Sequence, residues 1–282
     1  MPRLIEALLV AGILAASAAA GQETPPGAAP ATASAEKGTN PFALIGREAK
    51  IYYDDSKALF FAPFHWDGSQ VWTAVGAGAA VSGVLVFDEP LARSVQNRSS
   101  AATNQMSKIV TPFGSWAAWA TSGALVVSGI AFHEGQLTAT GREGIEACLI
   151  ASLMTDILKP VFGRERPFES ANETAFRPFS SHTSFPSGHA TVAFAFASVV
   201  SARSSGWVIP VASYTLASLV AYSRVNDRQH FPSDVIAGGL IGTAVGRFIV
   251  HRHQRDEAGR PAPRVEVSLF PIRDGLGIAA RF

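Results

Sequence analysis

The sequence predicts an all-α protein, a helical bundle of about six core helices with a short C-terminal β-hairpin. Six apolar segments carry this reading, near residues 71–87, 115–132, 145–158, 189–202, 207–222 and 235–250. Their lengths suit helices, and apolar-polar alternation of period two is absent from them. Turn formers mark their edges: Asp88-Glu89-Pro90 after the first, Pro112-Phe113-Gly114 before the second, and Gly141 before the third. Composition agrees. Of 282 residues, 48% are hydrophobic and only 16% charged, which is poor in charge for a soluble domain. A net charge of +1 supplies no global field for nucleic acid, which is excluded as a partner. The single cysteine, Cys148, rules out an intrachain disulfide and a cysteine-based zinc site, and reads as a small buried hydrophobe.

Residues 1–20 begin Met1-Pro2-Arg3, continue as a Leu/Ala/Val run and end on small residues before Gly21. That is the pattern of a cleaved export signal, and it places the protein in a bacterial cell envelope, periplasmic or membrane-embedded. Residues 21–40, rich in Pro, Ala and Thr, are expected to form a disordered linker. Residues 41–254 form the helical domain. Its first part, 41–68, mixes aromatics with charges and reads as short helices packed on the core or lying at a membrane surface. In the tail, 255–282, Val265, Val267 and Leu269 alternate, Arg273-Asp274-Gly275 turns, and Ile278 to Phe282 follow. This is the hairpin, expected to pack on the bundle.

A membrane span needs about 20 apolar residues, and most of the six segments are shorter. The third contains Glu146 and Asp156, and the fifth contains Pro210. The chain is therefore read as a compact exported domain in preference to a multipass one. Segments 71–87 and 115–132 are the best candidate spans.

Three short runs at predicted helix ends carry the chemistry. In the last, Ser223-Arg224 to His230-Phe-Pro-Ser-Asp234, the histidine and the aspartate are four residues apart. On a helical turn they share a face. A carboxylate bonded to one ring nitrogen would fix the tautomer and leave the other nitrogen as a nucleophile. In Pro186-Ser187-Gly188-His189, a helix begins just after a proline. Helix N-termini present free N–H groups to anions, and Gly188 lets the backbone approach closely. Ser187 either donates its hydroxyl or caps the helix. His189 stands where it could donate a proton to a departing oxygen. Lys159, Arg166 and Arg224 supply cations suited to phosphate oxygens. No cofactor or metal is called for, and no His/Asp/Glu cluster at metal spacing is apparent. Arg164 and Arg228 read as surface or structural cations, paired for example with Glu165 or Asp227. His65, His133, His182, His251 and His253 lie outside the motifs, His182 near enough in sequence to line the site.

Assembled, these runs resemble the type 2 phosphatidic acid phosphatase / vanadium haloperoxidase superfamily, whose pattern is K-x6-RP, then PSGH, then SR-x5-H-x3-D. Each fixed position is met: Lys159, Arg166, Pro167, Pro186, Ser187, Gly188, His189, Ser223, Arg224, His230 and Asp234. The resemblance covers about residues 70–252. It implies that His230 forms a phosphohistidine, Asp234 orients it, and His189 protonates the leaving group and then activates water. It also implies that Lys159, Arg166, Ser187, Gly188 and Arg224 bind the phosphoryl oxygens.

The expected function is a metal-independent phosphatase acting on phosphate monoesters or diphosphates, with a phosphorylated lipid or a small phosphate ester as partner and with membrane association. Phe162, Phe168, Phe176, Phe179 and Phe185 either favour a lipid substrate or pack the loop. Vanadate-dependent haloperoxidase and a non-catalytic phospholipid-binding module are the alternatives.

Overall fold

The computed structural model describes residues 41–168 and 176–259 and two strands at 266–272 and 275–281. The expected export signal and linker lie outside the described residues. Nine α-helices are present among them. They are α1 (Pro41–Phe61), α2 (Gly68–Val86), α3 (Asp88–Asn97), α4 (Ala101–Val110), α5 (Trp116–Ala131), α6 (Gly135–Phe162), α7 (Gly188–Arg203), α8 (Val208–Asn226) and α9 (Pro232–Gly259). The all-α expectation holds, with more helices than the apolar segments alone suggest.

Local chemistry explains the boundaries. Asp67 caps α2 in a reciprocal box with Gln70, and Ser100 caps α4 in one with Thr103. Residues 41–61 form one helix rather than several short ones, because no proline interrupts them before Pro63. Asp88-Glu89-Pro90, read as a break, is the acidic first turn of α3, a position where proline is tolerated. Pro210 sits equally harmlessly in the first turn of α8. Gly163 closes α6 at φ +55°, where an added Cβ would fall 1.8 Å from the Arg177 carbonyl oxygen. Only glycine fits that left-handed, crowded position.

Helix α7 lies at the centre, against α6, α8 and α9. Ala195 and Val199 of α7 meet Ala147, Ile150 and Ala151 of α6 and Val245, Ile249 and Val250 of α9 in one buried cluster. A stripe of glycines brings α9 against the α7 backbone. Cβ atoms added at Gly238, Gly242 and Gly246 would stand 2.6, 2.2 and 2.4 Å from the carbonyl oxygens of Ser187, Thr191 and Ala195. Small residues at this spacing allow helices to approach main chain to main chain.

Three helices are long and apolar enough to cross a membrane: Gly68–Val86, Val208–Asn226 and Pro232–Gly259. This revises the preference for a non-spanning domain. Helix α2 was foreseen as a span and has no buried residue. Helix α5, the other expected span, has 16 residues and falls short of the length required. Helices α8 and α9 outrun their apolar cores because the polar motif residues continue the helix instead of ending it. Large apolar side chains such as Trp72, Val86, Trp207, Val211 and Leu240 face outward, as a lipid-facing surface requires.

In the tail, Glu266–Ile272 pairs antiparallel with Gly275–Arg281. The expectation that this hairpin packs on the bundle is left without support, since its side chains and flanking residues lie outside the described residues.

Candidate active site

The site is assembled from helix ends. The C-terminal turn of α6 carries Lys159, and the chain then reverses at Gly163. Arg164 forms a bridge to Phe176, and its carbonyl accepts the Ser184 N–H at 2.9 Å. This pins the returning loop under the start of α7. The last turn of α8 carries Arg224, whose carbonyl accepts the N–H groups of Gln229 and His230 at 3.0 and 3.3 Å. That tight turn, with Arg228 at φ +54°, delivers His230 to the start of α9. The Ser187 N–H donates to the Asp234 carbonyl at 3.0 Å, so the starts of α7 and α9 are joined by main chain.

His230 is buried at 3% exposure, and its Nδ1 is 2.8 Å from the Ser184 carbonyl oxygen. A carbonyl only accepts, so Nδ1 carries the proton and Nε2 keeps its lone pair. The expected Asp234 hydrogen bond to this ring is not the tautomer-fixing contact. Oδ2 of Asp234 stands 3.6 Å from Nδ1, beyond hydrogen-bond reach, and the Ser184 carbonyl takes that role. Asp234 is occupied otherwise. Its Oδ2 accepts the Ser184 hydroxyl at 2.5 Å and the Phe231 N–H at 2.9 Å, and its Oδ1 accepts from Arg164 at 2.6 Å. It remains a fixed negative charge beside the ring. Burial lowers the His230 pKa, Asp234 opposes the fall, and the Arg166 and Arg224 charges add to it. The imidazole is therefore neutral at neutral pH.

The predicted phosphate binders converge with it. A Cβ on Gly188 would lie 3.4 Å from Lys159 Nζ, so the ammonium stands over the first turn of α7. Arg166 donates to Gln229 Oε1 at 2.8 Å. Arg224 lies 3.6 Å from Asp227, and its buried Nε has no hydrogen-bond partner among the described residues. Ser187 makes no capping bond, and its buried hydroxyl is likewise without a partner there. The hydroxyl and the Arg224 Nε are thus donors available to an oxyanion. His189 is neighbour to the same cations. Burial first, then Arg224, His230, Lys159 and Arg166, push its pKa down to about 3.

Sequence reasoning missed the support beneath this group. Arg164, expected at the surface or on Glu165, is fully buried. It donates to Asp234 Oδ1, to Ser233 Oγ at 2.7 Å and to Asp88 Oδ2 at 2.7 Å, and its guanidinium lies 4.2 Å from the Phe231 ring centroid. Asp88 also accepts the Ser233 N–H at 2.8 Å and hydroxyl at 2.5 Å. Glu165 pairs instead with Arg177 at 3.1 Å and His182 at 3.4 Å. The only local signal was an arginine directly after the helix-ending Gly163. Among the aromatics, Phe162 and Phe176 pack edge-on against buried Phe185, which matches the loop-packing reading, while Phe168 and Phe179 are exposed.

Comparison with known proteins follows the same runs. The family model of the PAP2 superfamily matches residues 145–258. A lipid A 1-phosphatase of Rhizobium etli is 29% identical over 202 residues, covering 64% of this chain and 82% of that protein. One from Rhizobium johnstonii is 30% identical, covering 64% and 78%. An undecaprenyl-diphosphatase of Sulfolobus acidocaldarius is 33% identical over 122 residues, 43% of this chain and 57% of that one. The crystal structure of Aquifex aeolicus LpxE aligns with a TM-score of 0.46 at 22% identity, over 58% of this chain and 95% of that chain. The matched region begins in α6 and ends in α9, so it holds every motif residue described above, and the chain belongs to the PAP2 superfamily.

Proposed function

We propose that the protein is a lipid phosphatase that hydrolyses phosphate monoesters or diphosphates at the membrane surface through a phosphohistidine on His230, with no metal in the reaction. One observation carries the reading. His230 Nδ1 is tied to a carbonyl, so its Nε2 keeps the lone pair, on a ring that feels the charges of Arg166 and Arg224. Relatives named as lipid A 1-phosphatases favour a phosphate on a lipid-linked sugar as substrate. Phosphatidic acid and polyprenyl diphosphate are the nearest alternatives in the same class.

In this mechanism Nε2 attacks phosphorus, a P–N bond forms, and the ester or anhydride P–O bond breaks. The three cations, the Ser187 hydroxyl and the N–H groups at the start of α7 hold the equatorial oxygens, where preorganised donors act most strongly. Asp234 stabilises the positive charge that grows on the imidazole. His189 is neutral in the free site, where burial and then the surrounding cations hold its pKa down. It takes up a proton as the phosphate dianion binds and offsets those cations, and it gives that proton to the leaving oxygen. In the second step His189 takes a proton from water, which attacks the phosphohistidine and releases phosphate and neutral His230.

The test is phosphate release by the detergent-purified protein from lipid A, phosphatidic acid, polyprenyl diphosphate and p-nitrophenyl phosphate, with chelator added at the start of the assay. Release blocked by vanadate and abolished in His230→Ala is expected, with lipid A preferred. Turnover retained in His230→Ala would overturn the phosphohistidine. Equal rates on the soluble ester would overturn the lipid preference.

A further inference from the structure

A second buried polar cluster lies at the other end of the bundle, roughly 30 Å along α9 from Asp234 at about 1.5 Å per residue. It joins Asp55 of α1, Glu143 and Glu146 of α6, and His253 of α9. Asp55, the pair Glu143 and Glu146, and His253 are far apart in sequence, which hid them from any spacing pattern. His253 Nε2 faces Asp55 Oδ2 at 2.9 Å and Glu146 Oε2 at 3.3 Å, and the ligand atoms of these three residues lie within 4.8 Å of one another. His253 Nδ1 faces Glu143 Oε1 at 3.2 Å. The other oxygen of Asp55 accepts from Arg252, and Glu143 accepts from Arg203.

A cluster of acids is not in itself a site. Here a separate feature points to a ligand. Glu146 is fully buried at 0% exposure, it is aimed at His253 Nε2, and neither of its carboxylate oxygens has a hydrogen-bond partner among the described residues. Two unsatisfied oxygens on one buried carboxylate are unusual in a native fold.

We infer that Asp55, Glu146 and His253 bind one divalent first-row cation, such as Zn2+ or Mn2+, which fastens α1 to α6 and α9. Two carboxylate oxygens and an imidazole nitrogen form a donor set such ions accept. With the dication in place, the Glu146 oxygens gain a partner. Glu143 on the far ring nitrogen would then fix the histidine tautomer, the usual outer-shell arrangement for a metal-bound imidazole. The role is structural, since the cluster stands a helix length from His230.

The experiment uses the full chain in mild detergent, stripped with chelator, desalted and titrated with Zn2+ and separately with Mn2+. Bound metal is measured by elemental analysis and stability by thermal unfolding. One equivalent retained after desalting is expected, with Tm raised by roughly 5–10 °C at saturating ion. His253→Ala should lose both effects. Because that variant could fail to fold, Glu146→Gln serves as the second test. Glutamine matches the shape of a protonated glutamate, so it separates a metal from a proton. If Glu146→Gln binds no metal and its Tm ignores the ions, the inference stands. No retained metal and no Tm response in the wild type would overturn it, as would a Glu146→Gln protein still binding one equivalent. Phosphatase rate is not the readout, so failure here leaves the histidine chemistry untouched.

Discussion

Replacing Arg164 by methionine tests the support beneath the site. The side chain is fully buried and holds two buried carboxylates, Asp88 and Asp234, at 2.7 and 2.6 Å. Methionine keeps much of the volume and removes the charge. Breaking a buried pair by deleting one partner costs about 3–5 kcal/mol. The expected loss at pH 7 is therefore about 3–5 kcal/mol, or roughly 6–20 °C in Tm for a domain of this size.

Tryptophan fluorescence during thermal unfolding in detergent at pH 7 reads the loss. Combining Arg164→Met with Asp88→Asn should restore part of the loss, because the two sites are coupled. An Arg164→Met protein as stable as wild type at pH 7, or a double variant that recovers nothing, would refute the account of Arg164 as the buried counterion shared by Asp88 and Asp234.

Further outcomes are expected. His189 and His230 both have folded pKa values held below the ordinary histidine value of about 6.5, so their contribution is intact above that pH and is lost as pH falls from there. Tm of the wild type should drop on acidification below pH ~6.5, and His189→Asn should flatten the slope by up to about 1.4 kcal/mol per unit; parallel slopes would count against this. Gly188→Ala places a methyl group 3.4 Å from Lys159 Nζ, in the proposed phosphoryl cradle, and should lower kcat/KM at least about tenfold with Tm nearly unchanged; full activity would show that the cradle lies elsewhere. Gly242→Ala drives a Cβ to 2.2 Å from the Thr191 carbonyl and should cost about 2–4 kcal/mol, whereas Gly46→Ala, with nothing within 4 Å, should be neutral or slightly stabilising; equal melting curves for the two would contradict the close approach of α7 and α9.

The site was legible wherever its residues sit in short runs at helix ends. Ser187, Gly188 and His189 are adjacent, and His230 and Asp234 are one turn apart, so their neighbourhood survives any arrangement of the rest. What holds them was not legible. Arg164 reaches Asp88 across 76 residues, and the His230 tautomer depends on a backbone carbonyl 46 residues away, a group every residue possesses. Helix lengths were underestimated for a related reason. Glu146 read as an interruption of an apolar stretch, yet it is buried inside the 28 residues of α6, facing polar partners on other helices.

The glycine stripe of α9 has a consequence for how the protein can change. The starts of α7 and α9 carry the two imidazoles, and they are spaced by contacts between main-chain atoms, Ser187 with Asp234 and Ser187 with Gly238. Main-chain atoms are common to all residues, so substitutions elsewhere do not reset that distance. The outward walls of α2 and α8 have no part in the ruler. They are free to vary in sequence while the gap between the histidines stays the same.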